Sequence, residues 1–178
     1  MQRPSLMRAV ILAGVIAGAA WPLSAIAGGA TAAVIKLRDG TESGRAEFLP
    51  APGGALIRLK MKGLTPGGHA VKVHETGKCD GDFTSAGAVL NPLGAGQGLL
   101  NDEGPAAGDL PNLFAAASGE TEVEFITPLL QPGAEEGDAL LDEDGAAIIV
   151  YEKPDDHLGV SEGVAGERVA CGLIGKSP

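Results

Sequence analysis

From Thr31 onward the chain is a succession of short alternating runs, each closed within a few residues by Gly, Pro or Asp, and this spacing constrains the fold most. "TAAVIKLR" (31–38) meets the turn pair Asp39-Gly40, and "GRAEFL" (44–49), "ALIRLKMK" (55–62) and "AVKVHE" (70–75) follow. "ETEVEFIT" (120–127), "DALLDEDG" (138–145), "AAIIVYE" (146–152) and "ERVACGLI" (167–174) complete the set. A period of two sends neighbouring side chains to opposite faces of a sheet, so each run reads as a strand with one buried face. The 28 Gly and 12 Pro supply turns between the runs. The expectation is an all-β chain, an antiparallel sandwich or barrel. Two stretches break the rhythm, Asp80–Asn112 and Pro154–Gly166. Their mixture of Gly, Pro, Asn and Asp has no sustained period and reads as two long loops.

The opening "MQRPSLMRAVILAGVIAGAAWPLSAIA" has a basic start, an apolar run and Ala25-Ile26-Ala27. These are the parts of a secretory signal peptide over residues 1–27, with an apolar run too short to span a bilayer, a retained N-terminal anchor being the alternative. Residues 28–178 then form one domain. Cleavage would remove two of the 13 basic residues and none of the 23 acidic ones, taking the net charge from −10 to −12. Such a surface repels nucleic acid and anionic membranes, and it favours solubility. Cys79 and Cys171 are the two cysteines. In an oxidising compartment, with no C-x-x-C spacing, a disulfide is favoured over a zinc site, two free thiols being the alternative. Leader and cysteines together place the chain in the periplasm or outside the cell.

"GLTPGGHAVKVHETGKC", "SAGAVLNPLG", "GPAAGDLPNL", "DEDGAAIIVYEKPDD" and "GERVACGLIG" follow one another along the chain. In that order they resemble the signature blocks of bacterial copper/zinc superoxide dismutases. The resemblance implies a Greek-key β-sandwich with two long loops, and a site in which four imidazoles hold copper while one of them is shared with zinc. Matched position by position, this chain departs from the ligand pattern. Lys72 stands where the first copper histidine is expected, Val89 where the bridging histidine is, Gln97 and Ala106 where the two zinc histidines are, and Tyr151 where the last copper histidine is. His74 keeps its match to a copper ligand, and Asp109 keeps its match to the zinc carboxylate. Asp155 matches the carboxylate that orients ligand imidazoles, Arg168 the arginine that guides the substrate anion, and Cys79 with Cys171 the disulfide that ties loop to strand. His69 matches a non-ligand position.

Copper cycling between two oxidation states wants several imidazoles, and zinc in structural sites wants four ligands; Lys, Val, Ala and a neutral phenol do not replace them. The reading that follows is an exported member of the fold with no expected cofactor, a non-catalytic binding or structural module. Superoxide dismutase activity with an altered metal site is the alternative, and a copper or haem carrier using His74 or His157 with Met61 is a third. The alternation of "AVKVHE" sends Lys72 and His74 to one face, Val71 and Val73 to the other. Lys72 then either pairs with Asp155 or Asp109 in place of the missing metal charge, or extends its ammonium into solvent. Arg168, with no substrate to guide, is expected to hold the first loop through backbone carbonyls. Tyr151 is expected to fill the former copper cavity with a partner for its phenol, His69 to be a hydrogen-bonded structural residue, and His157 to be an exposed loop residue. No partner is legible, and a homodimer is left open because relatives with these blocks associate through different faces.

Overall fold

A computed structural model describes residues 31–133, 140–159 and 164–176. Nine strands are present among them: β1 (Thr31–Leu37), β2 (Glu42–Ala51), β3 (Gly54–Met61), β4 (Gly67–His69), β5 (Val71–His74), β6 (Leu113–Ala115), β7 (Thr121–Thr127), β8 (Ala146–Tyr151) and β9 (Arg168–Lys176). Seven pair in the order β5-β8-β9-β1-β2-β3-β7, and β4 pairs with β6 separately. Every pairing is antiparallel. The order shows the long crossing: the chain leaves β3 beside one edge and enters β5 at the other.

The inward residues of both ends of this sheet meet in one core. Ile35, Phe48, Ile57 and Leu59 from β1–β3 pack in the same cluster as Val71, Val73, Ile148 and Val150 from β5 and β8, all essentially inaccessible. A sheet whose two ends share a core must curl, here into a half-barrel, within the all-β sandwich or barrel class expected from the alternation. Met61 lies in that core at 2% exposure, which removes it as a ligand for a carrier site. A smaller cluster of Phe83, Ala86, Ala147, Ile149 and Cys171 packs on the other face of β8 and β9.

One expected strand is absent among the described residues. The described part of "DALLDEDG", residues 140–145, is a turn in which Gly145 N–H donates to both the carbonyl and the side chain of Asp142, while Leu140 anchors it in the core. Three carboxylates in a row suit a solvated turn better than a ladder, and residues 138 and 139 lie outside the described set. Conversely β4 and β6 escaped the sequence reading, because Gly67-Gly68-His69 and Leu113-Phe114-Ala115 are too short to show a period. The signal peptide assigned to residues 1–27 also lies outside the described residues.

The stretch 80–112 is one long loop with a single 3-10 turn at Thr84–Ala86. It runs along the outer edge of β5: Val73 N–H donates to the Gly108 carbonyl and Leu90 N–H to the Val73 carbonyl, each at 2.8 Å. A side chain at Gly108 would collide with the Val73 carbonyl, so only glycine lets the loop approach this closely. The described parts of 154–166 are likewise free of strands, and this second loop meets the first where Leu100 N–H donates to the His157 carbonyl.

Candidate functional site

β5, β8, β9 and the two loops surround a cleft of about 510 Å³. Strand alternation fixes its floor. Lys72 and His74 project outward from β5, away from Val71 and Val73 in the core, and Tyr151 and Arg168 stand at the facing ends of β8 and β9. Val89 and Gln97 from the first loop and Asp155 from the second complete the walls among the residues singled out in the sequence. Ala106 takes part through its backbone only.

The centre is an ion triad. Lys72 Nζ lies 2.7 Å from Asp109 Oδ1 and 2.6 Å from Asp155 Oδ2, so both carboxylates considered as partners are bound. The alternative of a solvent-extended lysine is excluded, since its side chain is 12% exposed. Burial works against the ammonium, yet the hydrogen bonds it donates to Asp109 and Asp155 outweigh it and hold Lys72 above the ordinary lysine range. Burial likewise opposes the charge of Asp155, and the hydrogen bond and charge of Lys72 hold its carboxyl below the usual range. Asp109 is the better sequestered of the two: Oδ2 accepts the backbone N–H of Gly98 at 2.6 Å and of Ala106 at 3.1 Å, leaving Oδ1 for Lys72. One ammonium therefore joins strand β5 to both loops.

Beside the triad, His74 is fixed at both nitrogens. A carbonyl can only accept, so the 2.9 Å contact with the Gly87 carbonyl puts the proton on Nδ1. Nε2 is then the acceptor for the Tyr151 hydroxyl at 2.8 Å, the partner that the phenol required. Burial, then the charge of Arg168, lowers the His74 pKa from 6.5 to about 4, against the pull of the Gly87 carbonyl; Lys72 adds to the lowering. Burial raises the Tyr151 phenol above its usual value. A stability profile follows. As pH falls below 6.5 the unfolded chain takes up a proton that the native His74 refuses until about 4. The unfolded state gains by this, so stability is full above that window and declines across it, by about 3 kcal/mol in total. Urea unfolding at a series of pH values checks this, and a free energy that stays level from neutrality to pH 4 contradicts it.

Arg168 holds the first loop as expected, donating to the carbonyls of Phe83 at 2.6 Å and Gly87 at 2.9 Å. Phe83 adopts φ 69°, a left-handed conformation that costs a bulky residue of the order of 1 kcal/mol and is held by this contact and by burial of its ring. Cys79 and Cys171 are joined, pinning the start of the loop to β9. His69 is buried, its ring nitrogens facing the carbonyls of Tyr151 and Thr65 at 2.7 and 2.8 Å.

His157 corrects its expectation. Its side chain is only 19% exposed, its φ is 64°, and Nε2 lies 3.1 Å from the side-chain amide of Asn112. Asn112 also exchanges hydrogen bonds with the backbone of Asp155 in both directions, at 2.9 Å each. The residue is held because the second loop folds back over the end of the first. Phe83 and Gly87 were missed in the sequence because they act through their backbone carbonyls, and Asn112 because its side-chain amide binds backbone groups of the other loop; neither leaves a spacing signal.

An antiparallel β-sandwich whose site is built by two loops against strand edges, with a disulfide tying loop to strand, defines the class. A family model described as "Copper/zinc superoxide dismutase (SODC)" matches residues 42–174. The chain is 48% identical over 145 residues to "Superoxide dismutase [Cu-Zn]" of Caulobacter vibrioides, covering 80% of this chain and 83% of that protein. Among solved structures, a superoxide dismutase-like protein from Bacillus subtilis superposes with a TM-score of 0.75 at 34% identity, over 80% of this chain and 96% of that one. The Cu/Zn superoxide dismutase of Brucella abortus superposes with a TM-score of 0.67 at 28% identity, over 82% and 99%. The chain belongs to the copper/zinc superoxide dismutase family.

Proposed function

We propose that this chain is an exported, non-catalytic member of the dismutase family, a binding or structural module that orders its loops with a lysine in place of a metal ion. The observation that carries the reading is the position of the Lys72 ammonium between Asp109 and Asp155. On the family pattern Lys72 takes the place of a copper imidazole and Asp109 belongs to zinc, so a cation already fills the region between them. His74, the single retained imidazole of that pattern, has its Nε2 lone pair engaged by Tyr151. Val89, Gln97 and Ala106 add no imidazole. Among the described residues no group of three or more His, Cys, Asp or Glu side chains is placed to hold a metal ion. This donor set does not fit copper or zinc.

The second reading, a superoxide dismutase converting superoxide to dioxygen and hydrogen peroxide at an altered site, is favoured by family membership and by the 48% identity to the Caulobacter enzyme. Metal content and turnover separate the two. Purified protein exposed to copper and zinc and then dialysed is expected to keep far less than one ion per chain and to show no superoxide turnover above buffer. Stoichiometric copper with turnover would replace the first reading by the second. For location, the leader pattern of residues 1–27 and the disulfide support the periplasm or the exterior. No helix among the described residues is long and apolar enough to cross a membrane.

A further inference from the structure

We propose that Tyr151 and His74 form a proton-coupled electron donor: a one-electron oxidant entering the cleft takes an electron from the Tyr151 phenol while the phenol proton moves to His74 Nε2. The inference rests on the metal-free reading, because a copper ion on His74 would occupy the lone pair that now holds the phenol. Three observations carry it. The first is the tautomer. The Gly87 carbonyl fixes the proton on Nδ1, so Nε2 is an unprotonated base 2.8 Å from the hydroxyl, aligned to receive its hydrogen. A phenol that loses an electron becomes a strong acid, and a base already in hydrogen-bond contact removes the cost of forming that acid.

The second observation is access. Tyr151 is half-buried and lines the open cleft, whereas Met61 is 2% exposed and no free cysteine exists among the described residues. Tyr151 is also the single tyrosine of the chain. The most readily oxidised group that a solute can reach in the described domain is thus the one provided with a base. The third is charge. Arg168 and Lys72 both favour loss of the phenol proton, against the opposing charge of Asp155.

The step balances. The O–H bond of Tyr151 breaks and an N–H bond forms on His74; the phenol is oxidised to a neutral phenoxyl radical and the oxidant gains one electron. A one-electron reductant of the thiol or ascorbate class, also from solution, then returns the electron, and His74 returns the proton. The protein would act as a one-electron relay or sink, a chemistry that needs no metal.

Pulse radiolysis with the dibromide radical anion, which accepts one electron and leaves as two bromide ions, tests this on chelator-washed protein of measured metal content. Wild type is expected to form the phenoxyl absorption with a solvent deuterium isotope effect clearly above one. Y151F is expected to lose that absorption, and it also accounts for any signal from Trp21. H74F is expected to form the phenoxyl about tenfold more slowly, the factor that loss of one well-placed hydrogen bond gives. Equal rates in H74F and wild type, or no isotope effect in wild type, overturn the proposal. If H74F does not fold, the isotope effect alone decides. Stoichiometric copper before chelation would sink the metal-free reading, while the kinetics of the washed sample still decide the pair.

Discussion

Replacing Lys72 by methionine is expected to lower the unfolding free energy by about 3 kcal/mol or more, a large share of what a domain of this size holds in reserve. The chain carries the reason at Asp109, whose side chain is 1% exposed. Methionine keeps the length and apolar stem of lysine but leaves that carboxylate with no counter-charge. Asp155, at 13% exposure, recovers part of its loss through solvent, so most of the effect comes from Asp109. Adding D109N should restore much of the stability, since an amide oxygen can still accept from Gly98 and Ala106 without bringing a charge. Urea unfolding at neutral pH with an unchanged slope is the measurement. A single variant within about 1 kcal/mol of wild type, or a double variant no better than the single, would show that the triad does not hold the loops.

Removing the disulfide by C79A/C171A is expected to cost about 4 kcal/mol, the largest single effect. The bridge closes a loop with a sequence separation of 92. In the chain-entropy account a closure of that length restrains the unfolded chain by roughly 4 to 5 kcal/mol. The native state loses little packing, because Phe83, Ile149 and their neighbours still cover the site and Arg168 still grips the Phe83 carbonyl. The change should therefore appear as a shift of the whole unfolding transition to lower denaturant, with the loop's ordering in the native protein retained. A transition that moves by less than about 1 kcal/mol would mean that the unfolded chain was already compact around these cysteines.

Dithiothreitol treatment and the Lys72 variant separate two attachments of the same loop. The disulfide and Arg168 hold its start, near Cys79 and Phe83; Lys72 and the backbone of β5 hold its far part, near Asp109. The disulfide and the Lys72 triad have no side-chain partner in common, so their costs are expected to add.

Much of this was legible in the amino-acid order. Alternation with period two fixed which residues of each strand face inward, and it put Lys72 and His74 on one side because nothing but the pleat is needed for that. The failure over the described residues 140–145 has the same origin: an apolar pair beside three carboxylates mimics a strand, and only the burial of Leu140 against the core shows a turn with an anchor. The resemblance implies its ligand positions one residue at a time, since whether a side chain carries an imidazole does not depend on its surroundings. Tertiary structure alone decided that Lys72 takes both carboxylates and not one, that His74 protonates on Nδ1 and accepts from Tyr151, and that His157 is tucked against Asn112. Those outcomes depend on where two loops, more than thirty residues from β5 along the chain at Asp109 and some eighty at Asp155, come to rest. A sequence carries the charges and hydrogen-bonding groups; distance and burial, which set the strength of each interaction, exist only once the chain has folded.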